Sequence, residues 1–195
     1  MATGTAAFTD ADVAYLRSTF ATLDDICAGR PETPAGVRAL IAERRLPRPS
    51  YVLEDGTEFV PRDYFALADA AGSVGGLRDE YERRYRATLR HHGLCFDADL
   101  LERRWEQYLD GISGMCMREV TPETIIRKRM LIDAIEGLLA DRRADDRWGA
   151  ELRSKVDELD SIEKEFAPDY DRAQFVPTRD TYIRDVRARY PELWD

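Results

Sequence analysis

The sequence predicts a mainly α protein: a small N-terminal part with one β-hairpin over residues 1–72, then a helical bundle over residues 73–195. Three observations lead there. Apolar residues recur every three or four positions through most of the chain, the period of one buried helix face. Asp55-Gly56, set between the β-rich runs of YVLEDGTEFV (51–60), is a strong hairpin signal. AAGSVGG (70–76) is small and glycine-rich, and predicts a hinge or linker between the two parts.

The elements follow in order. Thr9 can cap a first helix, with Asp10 in the first turn and Asp12 three residues on, where negative charge meets the positive helix end. The stripe Val13, Leu16, Phe20, Leu23, Ile26 and Cys27 predicts one continuous helix that Gly29 ends. Thr33-Pro34 opens a short helix with Val37, Leu40 and Ile41 inward, and LPRPS (46–50) stops it because proline lacks the N–H a helix needs. After the hairpin, Pro61 begins another short helix carrying Tyr64, Phe65 and Leu67. The bundle then reads as successive stripes. Leu77, Tyr81, Tyr85 and Leu89 form one that ends at Gly93, and Leu101, Trp105, Tyr108, Leu109 and Ile112 form the next. Ile126, Met130, Ala134 and Leu138, widened by Leu131 and Ile135, follow the start Thr121-Pro122; Leu152, Val156, Leu159 and Ile162 come last. FAPDYDRAQFVPTRD (166–180) reads as a loop and TYIRDVRARYPELW as a final helix.

Composition narrows the function. Hydrophobic residues make up 44% of the 195, ample for a packed core, and charged residues 34%, normal for a helix-rich surface. A net charge of −9 argues against a general nucleic-acid binder while leaving room for a locally basic face. No long uncharged apolar run predicts a membrane span, and MATGTAAFTDADV lacks the basic and apolar regions of a secretory signal. Cys27, Cys95 and Cys116 are odd in number and widely spaced, so reduced thiols and a cytoplasmic location are expected.

Residues 22–69, TLDDICAGRPETPAGVRALIAERRLPRPSYVLEDGTEFVPRDYFALAD, resemble the winged helix-turn-helix of MerR-type regulators. The resemblance implies a second helix that reads the major groove and a hairpin that serves as the wing. Arg38, Arg44, Arg45 and Arg48 are the residues that would meet phosphates. The wing EDGTE is acidic, however, and the helix starts PAGVRAL, with little to bond base edges. A winged-helix scaffold that no longer binds DNA accounts for both departures.

The most unusual stretch is YLDGISGMCMREVTPETIIRKR (108–129), where Gly111 and Gly114 interrupt a helical pattern just before a new helix start. Glycine inside a helix costs about 0.5–1 kcal/mol relative to alanine, so two of them ask for close backbone packing or a bound ligand. Tyr108, Gly111 and Gly114 are therefore candidate substrate-binding residues. The helix start at Thr121, with Arg118 before it and Arg127 after, is a candidate anion site, since free N–H groups gather there. Ordinary surface pairing with Glu119 and Glu123 is the alternative for these charges. Glu106 and Asp110, one turn apart, are candidate proton acceptors, as is His92 beside His91. His91, His92 and Cys95 underfill a zinc site, so no metal and no cofactor is expected.

The segments RWEQYLDGISGMCMREVTPETIIRK and DTYIRDVRARYP resemble an uncharacterised actinobacterial family described as natural-product biosynthesis proteins. The likeness extends over most of the chain from about LPRPSYVLEDG onward, and a further one connects it to small helical proteins that close aziridine rings in azinomycin-type pathways. The resemblance implies specialised-metabolite biosynthesis: a small-molecule or carrier-bound substrate, an amine that cyclises with loss of an anionic group such as sulfate, and a homo- or heterodimer with a related subunit. A MerR-like regulator or a noncatalytic interaction subunit is the alternative.

Overall fold

The structure, a computed structural model, describes residues 7–142 and 146–195. In chain order its elements are α1 (Asp10–Thr19), β1 (Ala21–Thr22), α2 (Leu23–Cys27), α3 (Pro34–Ala42), β2 (Tyr51–Val52), β3 (Glu58–Val60), α4 (Ala66–Ala70), α5 (Leu77–His91), α6 (Ala98–Leu109), α7 (Ile112–Cys116), α8 (Pro122–Ala140), α9 (Asp146–Ile162), α10 (Asp169–Arg172) and α11 (Asp185–Arg189). The fold is mainly α with one small antiparallel sheet. Two compact units emerge: Leu16–Ile126, and residues 7–15 with Arg127–Asp195. No helix among the described residues is long and apolar enough to cross a membrane.

The first unit opens with a winged helix. Helix, strand, helix, helix, strand, strand follow one another, and the sheet order is β1-β3-β2. Ala21 pairs with Val60 and Thr22 with Phe59, while Tyr51 and Val52 pair with Phe59 and Glu58. The continuous first helix that the apolar stripe predicts is therefore divided. Thr22 takes an extended backbone and its hydroxyl accepts from the Asp25 N–H at 3.1 Å, capping a new helix, α2. Ladder bonds to β3 and this cap outweigh a stripe whose spacing alone favours continuation. The hairpin turn forms as expected, with Gly56 at φ +84° and the Asp55 carboxylate accepting from Thr57 N–H at 2.9 Å.

Thr33 caps α3 by accepting from Gly36 N–H at 3.1 Å, with Pro34 in the first turn. The helix closes in a Schellman motif: Arg44 N–H bonds Ile41 O at 3.0 Å and Arg45 N–H bonds Leu40 O at 2.8 Å. Arg44 sits at φ +55°, the one non-glycine residue at positive φ among those described.

Residues 70–76, expected as a hinge, lie inside this unit as a short 3₁₀ turn, Val74–Gly76, leading into α5. Leu77, Tyr81, Tyr85 and Leu89 of α5 are buried, as are Leu101, Trp105, Tyr108 and Leu109 of α6. Tyr81 lies 5.1 Å from Trp105 and 5.3 Å from Tyr108, ring to ring, in tilted geometries. The α6 stripe does not continue to Ile112, which is 52% exposed. Gly111 stands between α6 and α7 at φ +75°, so it ends one helix rather than weakening the middle of one.

In the second unit Leu131, Ile132 and Ile135 of α8 pack with Trp148, Leu152, Val156 and Leu159 of α9 and with Ile183, Val186 and Tyr190. Met130 and Ala134, on the predicted stripe, are half-buried; the core face is centred on the widening residues instead. Thr9 and Asp12 cap α1 reciprocally, Asp12 N–H to the Thr9 hydroxyl at 3.1 Å and Thr9 N–H to the Asp12 carboxylate at 3.0 Å. Asp12 also accepts from Asp169 N–H at 2.8 Å. That bond anchors α10, which forms within the stretch 166–180 expected as loop. The final helix begins as a π-helical turn, Asp180–Arg184.

Two glycine substitutions separate backbone demand from helix propensity. A Cβ at Gly111 would stand 2.5 Å from Arg48 O in a left-handed backbone, whereas one at Gly137 on α8 would meet nothing within 4 Å. Gly111→Ala is expected to cost about 3 kcal/mol of unfolding free energy and Gly137→Ala to add about 0.5–1 kcal/mol. Chemical denaturation of both variants against wild type reads the two signs.

Candidate functional site

Within the winged-helix unit a small pocket forms where LPRPS, the turn after β3 and the α6–α7–α8 junction converge. Pro47, Arg48 and Ser50 line one side, Pro61, Asp63 and Tyr64 another, and Tyr108, Gly111, Gly114 and Val120 the third. Its volume is about 20 Å³, room for one water-sized group. The glycines permit this approach. A Cβ at Gly114 would lie 2.5 Å from the Ser50 hydroxyl and 2.6 Å from Pro61 Cγ.

Asp63 is the acid of the pocket. Its Oδ2 accepts from Val120 N–H at 2.7 Å, while its Oδ1 is buried and has no hydrogen-bond partner among the described residues. A buried acceptor left unpaired costs about 1–3 kcal/mol, so such an atom marks a place where a donor belongs. Tyr108 is buried beside it. Burial pushes the Tyr108 phenol above its ordinary range, the Asp63 charge pushes it further, and the Arg84 charge opposes both. Arg84 itself makes a bidentate pair with Glu123, both bonds 2.8 Å.

Three of the sequence-predicted residues, Tyr108, Gly111 and Gly114, thus meet on one pocket wall. Thr121 caps α8 next to Val120, accepting from Thr124 N–H at 3.2 Å. The helix start is matched by the protein's own Glu123, whose carboxyl is held down by hydrogen bonds from Arg84, its own backbone and Thr121 against the upward push of burial. Arg118 is exposed in the α7–α8 connection. Arg127 belongs to the other unit and pairs with Glu158. Glu106 and Asp110 do not line the pocket; both are held by Arg44, the latter at 3.1 Å. His92 caps the C-terminal end of α5, its ring 4.9 Å from that of His91. No three His, Cys, Asp or Glu side chains come together as a metal-binding group among the described residues.

Sequence reasoning missed Asp63. It lies in PRDY, a turn with no motif, and meets Val120 across 57 positions of chain. It also missed a buried polar cluster in the other unit. Glu163, 1% exposed, accepts from Lys128 at 2.8 Å and from the Thr178 hydroxyl at 2.6 Å. Arg179 bonds Lys164 O at 2.9 Å there and pairs with Asp160 at 2.6 Å.

Three of the four winged-helix arginines that would meet phosphates, all but Arg48, are already paired. Arg38 bonds Glu58 of the wing strand at 2.7 Å, Arg44 holds Glu106 and Asp110, and Arg45 meets Glu43 at 3.2 Å. Exposed pairs of this kind add little stability, but they cancel the positive field that a phosphate backbone would meet.

Fold and site together describe a helical protein with a winged-helix unit and a compact acid-bearing pocket. Residues 77–191, more than half of the chain, match the model of DUF6058, a family of unknown function, and the chain belongs to that family. The matched region contributes Tyr108, Gly111, Gly114 and Val120 to the pocket; Arg48, Ser50 and Asp63 precede it. Comparison with curated proteins and with solved structures gives no match.

Two measurements follow. Glu123 titrates below the ordinary 4.5; a carboxyl depressed by folding contributes stability above its unfolded pKa and loses it as pH falls through the folded value. Denaturation midpoints should therefore fall below about pH 4.5 in wild type, and Arg84→Met should flatten that acid limb. For the paired arginines, fluorescence anisotropy at physiological salt should give no DNA affinity tighter than about 10⁻⁶ M, the non-specific range. Nanomolar binding to the gene's own upstream region, abolished by Arg44→Ala with Arg45→Ala, would overturn this.

Proposed function

We propose that the chain is a cofactor-free enzyme or enzyme subunit of specialised-metabolite biosynthesis that closes a ring on an amine with loss of an anionic group such as sulfate. The biosynthetic setting rests on the resemblance of residues 104–128 and 180–191. The observation that carries the chemistry is Asp63, a residue of the pocket lining whose Oδ1 is buried and has no hydrogen-bond partner among the described residues. A carboxylate so placed accepts a proton from an attacking nitrogen. The nitrogen lone pair forms the C–N bond, the C–O bond to sulfate breaks with its electrons on the leaving oxygen, and the N–H proton passes to Asp63. Arg48, an exposed wall residue, supplies positive charge for the departing anion. The volume of the pocket admits the reacting group alone, with the remainder of the substrate outside.

A noncatalytic partner of a related subunit is the second reading. It draws on the self-paired arginines, which suit a winged helix used as a protein-binding scaffold.

Sulfate release from 2-aminoethyl hydrogen sulfate, followed by ion chromatography, distinguishes the two. Wild type should release sulfate above the buffer rate. Asp63→Asn should lower that release by about 10²–10⁴-fold, the usual contribution of a positioned base. Glu106→Gln, which leaves Asp110 on Arg44, should retain it. Absence of release from wild type, alone and with a related subunit added, favours the noncatalytic reading.

A further inference from the structure

The second unit carries an open groove between the last two turns of α8 and the first two of α9. It encloses about 440 Å³, with Ala134, Gly137 and Leu138 on one side and Arg147, Trp148 and Glu151 on the other. Trp148 is buried, its indole N–H donates to Leu138 O at 2.9 Å, and the Arg142 guanidinium lies 5.7 Å from its ring centre. Trp148 thus gives the groove little of the aromatic surface that holds a small organic ligand. The distinctive chemistry is on the rim. Arg147 and Glu151 are exposed, and neither side chain has a hydrogen-bond or ion-pair partner among the described residues. They stand four apart on one helix, the spacing at which Arg129 and Asp133 on α8, and Arg153 and Asp157 on α9, do pair. Asp141, the other charged lining residue, is engaged within the chain. Gly137 adds a third observation. Gly111 and Gly114 answer to close neighbours of their own chain, whereas a Cβ at Gly137 would meet nothing within 4 Å. Glycine inside a helix costs about 0.5–1 kcal/mol relative to alanine, and here no described residue uses the space it leaves.

An arginine and a glutamate one turn apart on one face are complementary to their own copy. A two-fold axis passing between them sets Arg147 against Glu151 of the partner subunit and Glu151 against Arg147 of the partner subunit, so one operation satisfies all four charges. The same operation lays α9 of the second chain antiparallel along the groove, where Ala134 and Gly137 leave room for a close approach. We infer that this α8–α9 face is a homodimer interface, and that its occupant is the same face of a second copy of the chain. The inference is independent of the ring-closing reading, which concerns the other unit.

Sedimentation velocity on the full chain over a concentration series tests this. Wild type should pass from monomer to a species of about twice 22.4 kDa as concentration rises. Arg147→Glu and Glu151→Arg each set like charges across the axis, and each should raise the dissociation constant at least about tenfold. Exchange of both, Arg147→Glu with Glu151→Arg, should restore most of the lost affinity, the coupling that a double-mutant cycle isolates. Gly137→Gln fills the groove from a position with space around it, and should dissociate the dimer. Circular dichroism of each variant at low concentration should show wild-type helix content, which separates loss of the interface from loss of the fold. A wild type that stays monomeric throughout, single reversals or a Gly137→Gln variant that leave the dimer unchanged, or a folded double exchange that does not regain it overturns the assignment.

Discussion

The winged-helix unit depends on one close approach, that of the turn between α6 and α7 to the extended segment Arg48–Ser50. Arg48 N–H reaches Leu109 O at 2.8 Å, Ser50 O–H reaches Gly111 O at 3.1 Å, and the missing side chain of Gly111 leaves space for Arg48 O. Backbone groups drawn out of water at such a junction must be paired, and here each strand of the contact pairs the other. The pocket is a by-product of this stitching: the same residues that close the seam form its walls. A site built this way inherits the rigidity of its supports, which is the condition for placing one carboxylate oxygen with useful accuracy.

Much of the helix content was legible because it rests on local chemistry. Thr9, Thr33 and Thr121 act as caps, and the stripes on α5, α6 and α9 bury most of the residues their spacing selects. The winged-helix order could be read from the sequence of elements, but β1 could not. A two-residue strand has no period, and Ala21-Thr22 becomes a strand only because β3 lies beside it. Tyr108, Gly111 and Gly114 were legible as a group because two glycines near a helix end signal backbone proximity, though not against what. Asp63 was not, since its value comes from Val120, far along the chain, and from a cavity that exists only after folding.

Charge is handled differently in the two units. On the winged helix Arg38, Arg44 and Arg45 form exposed pairs that neutralise one another. In the other unit, Glu163 and Lys128 are withdrawn from water, where solvation lost must be replaced by geometry, and Thr178 provides a further bond. Such a pair adds little net stability but discriminates strongly against arrangements in which either partner lacks the other.

Arg44 brings a historical consequence. Its backbone adopts a left-handed conformation that glycine would take at lower cost, by about 1–2 kcal/mol. Glu106 and Asp110 lie four residues apart at the C-terminal end of α6, where negative charge is already disfavoured, and Arg44 is bonded to both. The three positions therefore form an epistatic set with a preferred order of change. Either carboxylate can be lost first with modest effect, after which glycine at 44 becomes an improvement. Loss of the arginine first leaves two like charges on an unfavourable helix end. A lineage that acquired this clamp can leave it readily in one direction only.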